Sequence, residues 1–327
     1  MGLLKKAQAE DPSVTQISLT DPDARALPMN NLGHVQIAYN VQSVVDSAHY
    51  LIADFAVENE PDIHLLSKTG IAAKTELGLT EEDNWELLAD KGYCYGRELQ
   101  ACAEAGITTF VAFPQQDYKT KEAGFQKADF KYDPEKDTYA CPAGQELPTT
   151  GTVYEKHNRQ GQLQNRYRLY RAPYPVCRAC PLAGKCLTAA SHKYRQGRTL
   201  ERSVWEEAVE ANRLRVLNQR EKYKRRQAIV EHPFGTIKRA WGYYYTLLKG
   251  KEKVSGEYAL VFCAYNIRRG VSILGVKRLL EMIKDVFLRF WVAACATAHR
   301  GTGGLRSAGG RPRKTNIIFN TYDSRAA

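Results

Sequence analysis

The segment Trp85-Glu86-Leu87-Leu88-Ala89-Asp90 constrains the fold more than any other. It is a short apolar run ending in an acid and followed by Lys91-Gly92-Tyr93, which reads as a buried strand with Asp90 at its carboxyl end. Gly96 to Gly106 has helix-forming composition, with Leu99, Cys102 and Ala103 on one face and Gly106 closing it; Thr108 to Pro114 is another apolar strand. Strand, helix, strand at this spacing is a βαβ unit and predicts an α/β fold. Ligands of open α/β sheets gather at the carboxyl ends of strands, where Asp90 falls. Upstream, the alternation of Val35, Ile37 and Tyr39 and the run Leu51 to Val57 predict an antiparallel pair, with Asp46-Ser47-Ala48-His49 as the turn. A helical stretch around Asp62 to Leu77 follows.

The rest of the chain divides by pattern. Residues 1–32 are polar and punctuated by Asp and Pro, without a sustained period, and read as an irregular lead-in. Residues 33–117 hold the strands just described. Residues 118–200 break into Gly, Pro, Lys, Tyr and four clustered cysteines, an inserted module. Residues 201–285 return to helical composition and carry a basic helix. Residues 286–327 form a tail, basic and expected to be disordered from 301 because of its Gly-Gly pairs and Arg-Pro-Arg-Lys.

Charge follows the same division. The formal net charge is +11 over 327 residues, yet residues 1–140 hold 12 Lys and Arg against 23 Asp and Glu, and residues 141–327 hold 35 against 13. So basic a second half predicts a polyanionic partner, nucleic acid before an anionic membrane, because Lys and Arg release the counterions condensed on phosphates. The longest apolar stretch, Val286 to Ala298, is shorter than the ~20 residues of a membrane span and carries Arg289, so no membrane partner is expected. The first residues lack a secretory apolar core, which predicts a reducing compartment and free thiols.

Cys141, Cys177, Cys180 and Cys186 form C-x35-C-x2-C-x5-C, whereas Cys94, Cys102, Cys263 and Cys295 are isolated. A C-x2-C pair turns two thiolates toward one ion, so the set predicts a structural, four-thiolate Zn2+ site; structural thiols without metal are the alternative. Either role is architectural, since four thiolates leave no open catalytic position.

The second constellation runs from Tyr223 to Arg239. Across residues 213–239 there are nine Lys or Arg against Glu221 and Glu231 alone. On a continuous helix Glu231 and Lys238 share a face, and Pro233 predicts a start or kink near Glu231. Glu231 is either an acid on a solvated basic face or a carboxylate that joins Asp90 on a divalent metal while its neighbours hold DNA phosphates.

Ala89-Asp90-Lys91-Gly92-Tyr93, the later Tyr223, Arg226, Glu231 and Lys238, the opening Thr20-Asp-Pro-Asp-Ala-Arg25 and Tyr39-Asn-Val-Gln42 together resemble the DDE transposases of bacterial insertion sequences. The similar subgroup has a four-cysteine insertion before a V-E-H-x-F-G segment, here Val230 to Gly235. The resemblance covers roughly residues 18–280. It implies a ribonuclease-H-like catalytic domain, incomplete at its first strand and interrupted by the cysteine module, and DNA cleavage and strand transfer with two Mg2+ (or Mn2+) ions. Asp90 matches the second catalytic Asp and Glu231 the catalytic Glu, both as metal ligands. Tyr223, Arg225, Arg226, Lys238 and Arg239 are the implied DNA-binding residues. DNA is the implied partner, a homodimer on DNA the implied assembly, and a bacterial cytoplasm, nucleoid-associated, the implied location.

The family's first catalytic Asp lies upstream of the T-D-P-D-A-R segment, in Asp-Gly-Thr or Asp-Ser-Thr. Nothing of that kind precedes Thr20, so the chain reads as amino-terminally truncated, with weak or no catalysis. Asp21, Asp23, Asp46 and Asp54 read as surface acids, and Glu257 is the rival to Glu231. His34, His49, His64 and His192 have no ligand-like spacing, and Tyr243-Tyr244-Tyr245 reads as core filling before base stacking. A non-catalytic DNA-binding remnant and a metal-dependent nuclease are the competing functions.

Overall fold

The structure is a computed structural model that describes residues 2–10, 14, 16–28, 35–80, 82–113, 124–158, 161, 163–298 and 316–326; for 288–298 and 316–326 it describes the backbone alone. His34, Pro114 and most of the predicted basic tail, 299–315, lie outside the described residues.

In chain order, helix α1 (Gly2–Glu10) precedes β1 (Arg25–Pro28), β2 (Val35–Asp46), β3 (Ile52–Glu58), α2 (Leu66–Glu76), β4 (Trp85–Ala89), α3 (Gly96–Glu104) and β5 (Ile107–Val111). The middle of the chain gives β6 (Lys131–Asp133), β7 (Thr138–Ala140), β8 (Glu146–His157), β9 (Leu163–Arg171), the short helices α4 (Tyr174–Ala179), α5 (Ala183–Cys186) and α6 (Ala189–Lys193), and β10 (Thr199–Ser203). Then follow α7 (Glu206–Asn218), α8 (Arg220–Phe234), β11 (Tyr245–Thr246), α9 (Lys251–Leu274), α10 (Val276–Ala298) and β12 (Asn316–Ala326). Two compact units result: residues 1–113 with 212–327, and residues 114–211.

The first unit is a mixed sheet with helices on both faces. Its order is β1-β2-β12-β4-β5, with β3 beside β1 on the outer edge of β2 and β11 paired to β12. β4 and β5 run parallel, Trp85 opposite Ile107 and Ala89 opposite Val111, joined through α3 as a crossover requires. Leu87 and Leu88 face opposite sides of the sheet. Gly70 of α2 sits so close that an added methyl would lie 3.0 Å from Leu87 Cδ2, so α2 and α3 cover that face. Leu88 and Phe110 pack on the other face with Val230 and Phe234 of α8 and with Tyr258, Phe262 and Tyr265 of α9.

Two stretches depart from the sequence reading. The lead-in is not irregular throughout, since it forms α1 and contributes β1, which pairs antiparallel with β2 from Arg25 opposite Ala38 to Pro28 opposite Val35. The tail is not wholly disordered: α10 continues through residue 298, and residues 316–326 form β12. β12 lies antiparallel to β2 (Ile317 opposite Asp46, Arg325 opposite Ala38) and parallel to β4 (Ile318 opposite Leu88). The sheet therefore has a strand at its centre, supplied by the end of the chain. Physically this removes two rows of unpaired N–H and C=O groups that β2 and β4 would otherwise present to each other across a gap.

The second unit is a five-stranded antiparallel sheet, order β10-β9-β8-β7-β6, with the short helices α4 to α6. Its core is Phe130, Tyr139, Leu147, Tyr170, Ala172 and Leu200, with Cys141, Cys177 and Cys186 packed against it. Arg202 closes the aromatic side, lying 3.8 Å above the Tyr132 ring and bonding both oxygens of Glu210 at 2.9 and 3.2 Å. Gly197 is required here, because a Cβ at that position would meet Ala172 O at 2.0 Å.

Candidate active site around Asp90

β4 buries Trp85, Leu87, Leu88 and Ala89 between helices and neighbouring strands, with Glu86 its one charged residue, and Asp90 follows where the chain leaves the sheet. Asp90 is half-buried and caps the 3-10 turn Lys91–Tyr93, its Oδ1 accepting the Gly92 N–H at 2.8 Å. Beneath this turn lies a polar network that sequence reading missed. The Tyr93 hydroxyl donates to Gln42 Oε1 at 2.5 Å, and Gln42 Nε2 donates to Asn40 Oδ1 at 2.8 Å and to Asp62 Oδ1 at 3.2 Å. Asn40 Nδ2 donates to the same Asp62 oxygen at 2.7 Å and to Glu60 O at 2.8 Å. The other Asp62 oxygen approaches the Asp90 turn: a methyl on Gly92 would lie 3.0 Å from Asp90 Oδ1 and 3.5 Å from Asp62 Oδ2. Glycine thus lets two carboxylates flank one backbone position. The only sequence signal for Asp62 was its place at the start of the helical stretch after β3.

α8 reaches this site through Tyr223. Its hydroxyl donates to Ala89 O at 3.1 Å, one residue before Asp90, and burial, with Asp90 adding to it, raises its pKa above the ordinary tyrosine value. Tyr223, expected on a DNA-binding face, is turned inward onto the core, because positions 223, 230, 234 and 237 share the stripe that packs on the sheet. Arg226 lies 5.5 Å over the Tyr223 ring with its Nε buried and unpartnered, and Lys222 bonds Glu86 of β4 and sits 4.5 Å over Phe110. Arg225 and Arg239 are exposed, and Lys238 is half-buried.

Glu231 is exposed, and its Oε1 accepts from Gln227 Nε2 at 2.7 Å, one turn back on the same helix. The expected break at Pro233 does not interrupt α8, which runs to Phe234 and then widens into a π-helical stretch, Gly235–Ala240. Proline removes one N–H and crowds the carbonyl four residues back, and the wider turn that follows absorbs this. π-helical residues turn less per residue than α-helical ones, so the seven-residue spacing no longer aligns Lys238 with Glu231 by periodicity alone.

The other acids have structural duties. Asp21 is not a surface acid, being 1% exposed: both its oxygens accept from the Tyr39 hydroxyl at 2.9 Å, and Oδ2 also accepts the Gly250 N–H at 3.1 Å. Asp23 Oδ2 accepts the Lys251 N–H at 3.0 Å. The T-D-P-D-A-R segment therefore caps the amino end of α9 from more than 200 residues away, satisfying N–H groups that a helix leaves open. Asp46 accepts the Ala48 and His49 N–H groups within its turn, and Asp54 is raised above the ordinary aspartate value by burial. Glu257 accepts from the Tyr243 hydroxyl and from the Leu247 and Leu248 N–H groups, which holds the loop before α9. Of the tyrosine triplet, Tyr243 packs against the core while Tyr244 and Tyr245 are each 52% exposed. His49 pairs with Asp46 at 3.3 Å, His64 meets the edge of the Tyr95 ring, and His192 lies 3.3 Å from the Tyr174 hydroxyl.

In the second unit, Cys141, Cys177, Cys180 and Cys186 border one cavity, which also meets Leu147 and Arg198. Burial raises the Cys186 thiol above its ordinary value; Arg198 opposes this, and the three other thiols add to it. Among the described residues no group of three or more His, Cys, Asp or Glu side chains closes on one point as a metal centre does. No single helix there is long and apolar enough to cross a membrane; α9 and the first half of α10 reach that length and composition only together, and they are bent by 118° at Gly275.

Residues 140–271 match the family model described as Transposase DDE domain, which supports a DDE transposase. The matched stretch holds the four cysteines, α7, α8 with Glu231 and most of α9, and ends upstream short of Asp90. No curated protein matches the chain, and no solved structure does.

Proposed function

We propose that the chain acts on DNA as a transposase of the DDE type, with Asp90 and Glu231 as catalytic acids and Arg225, Arg239 and Lys238 holding phosphates. The observation that carries this reading is the acid at the carboxyl end of β4, tied by Tyr223 to the helix that lies in the Transposase DDE match. Such domains take divalent ions, Mg2+ or Mn2+. The fit on this chain is partial: Asp90 and Asp62 flank Gly92 and offer the hard oxygen ligands these ions prefer, while Glu231 bonds Gln227. When bound, such ions activate the attacking oxygen and stabilise the leaving one in phosphoryl transfer.

The chain's own residues supply position and charge. The Gly92 N–H fixes one Asp90 oxygen and leaves the other open. Tyr223 anchors α8 beside the end of β4. The exposed Arg225 and Arg239 offer cations to the DNA backbone, whose binding releases condensed counterions.

A second reading, a DNA-binding remnant without cleavage, is favoured by the Glu231–Gln227 bond. Nicking of duplex DNA by the purified chain with Mg2+ or Mn2+ separates the two. The first reading predicts nicking that Asp90→Asn and Glu231→Gln both abolish. Asp90→Asn keeps an oxygen for the Gly92 N–H, so its thermal midpoint is expected to match wild type, whereas Asp90→Ala loses the cap at a cost of about 1 kcal/mol. Nicking that survives both acid variants overturns the assignment, and binding without nicking selects the remnant.

A further inference from the structure

We propose that the second unit holds one structural Zn2+ ion, bound by Cys141, Cys177, Cys180 and Cys186. This is independent of the reading of Asp90 and Glu231. Three observations carry it.

The four cysteines come from three separate places in the unit and border the same cavity of about 30 Å3, the volume of a single small guest. Cys141 follows β7, Cys177 lies in α4 with Cys180 just beyond it, and Cys186 ends α5. Cys177, Cys180 and Cys186 lie close in the chain, but Cys141 precedes them by a 35-residue spacing and reaches the same cavity only through the fold. The rest of the lining is apolar or aliphatic, apart from Gln145 and Arg198, so no water network is built to fill the space.

Three of the four sulfurs already accept backbone N–H groups: Cys141 Sγ from Gln145 at 3.3 Å, Cys180 Sγ from Leu182 at 3.4 Å, and Cys177 Sγ from Arg198 at 3.4 Å. Oriented donors of this kind lie behind metal ligands and fix their direction, and they favour the charged thiolate over the neutral thiol. The Arg198 contact needs the close approach of Gly197 to Ala172 O described above. Arg198 also fixes its own guanidinium on Phe125 O at 3.0 Å and on Cys186 O at 3.4 Å. That places a cation beside a centre whose net charge, with four thiolates on one Zn2+, would be −2.

The unit also needs such a centre. Its core is six buried hydrophobic residues over some hundred positions, and cores of that size are commonly stapled by a metal or by disulfides. All four cysteines are free thiols in the structure, bordering the cavity without converging. Binding would draw the sulfurs to about 2.3 Å from the ion and release the thiol protons to solvent.

The test uses the full chain. Zinc content is measured after gel filtration with a weak chelator, and a second sample is loaded with Co2+ for its absorption spectrum. The expected results are one zinc per chain and a cobalt spectrum with thiolate-to-metal charge transfer and tetrahedral d–d bands. Paired Cys177→Ser and Cys180→Ser substitutions should remove both, while Cys263→Ser, at an exposed thiol away from the cavity, should change neither. The cobalt spectrum of the unaltered chain stands even if the serine variant fails to fold. Less than about half an equivalent of zinc, a cobalt spectrum without thiolate charge transfer, or disulfides among the four cysteines would overturn the proposal.

Discussion

Glu58 shows how single carboxylates tie distant elements in the first unit. Its side chain is 7% exposed and accepts from Lys68 of α2 at 2.6 Å and from Lys251 of α9 at 2.7 Å. Burial pushes its pKa up, but the two ammonium groups outweigh that and hold it below the ordinary glutamate value of 4.5. A carboxylate depressed in the folded state contributes stability above its unfolded pKa, and the contribution is lost as the pH falls through the folded value. Unfolding at a series of pH values should therefore show stability declining below about pH 4.5. Glu58→Gln should flatten part of that decline and cost about 2 kcal/mol at neutral pH, where charged hydrogen bonds are lost. An unchanged acid limb would contradict the pairing. At this scale Asp90 was legible because a buried strand that ends in an acid is a pattern along the chain. Asn40 and Gln42 stood out only within the Tyr39-Asn-Val-Gln42 resemblance and Asp62 not at all, because their association depends on the fold rather than on spacing. Tyr223, placed among the DNA-binding residues by the resemblance, packs along the helical stripe it shares with Val230, Phe234 and Ile237, a spacing the resemblance does not use.

Among elements, the sheet is closed by two asparagines that behave as strand partners. Asn212 of α7 accepts the Val111 N–H at 2.8 Å and donates to Val111 O at 2.8 Å, at the free edge of β5. Asn266 of α9 does the same for Ile52 of β3, at 2.9 and 2.8 Å. Each amide satisfies one backbone donor and one acceptor that an edge would leave open, and it denies the edge to another chain. Asn212→Ala or Asn266→Ala should each lower unfolding free energy by about 2 to 3 kcal/mol, Asn212→Ala more because Asn212 is fully buried. Aggregation on mild heating should rise in parallel, and a loss under about 0.5 kcal/mol would show that the amides do not close the edges. The βαβ unit and the β2–β3 hairpin were readable from alternation and turn chemistry. The central place of β12 was not: a strand's period reveals its faces but not its neighbours, and the Gly- and Arg-rich stretch before Asn316 read as tail.

For the whole chain, the governing feature is the separation of charge between an acidic first part and a strongly basic second part. Structure gives part of that surplus a definite carrier, since Arg225 and Arg239 are exposed on and after α8, while Arg202, Arg215 and Lys222 are occupied by Glu210, Thr109 and Glu86. The central claim, that this chain acts on DNA through its basic second half, is tested most directly by duplex DNA binding measured across a salt series. The dissociation constant is expected to rise steeply with salt, along a straight line in logarithms. Arg225→Glu with Arg239→Glu should flatten that slope by about one unit or more per lost phosphate contact, without a change in thermal midpoint. No binding at low salt, or a slope that the two charge reversals leave unchanged, would contradict it.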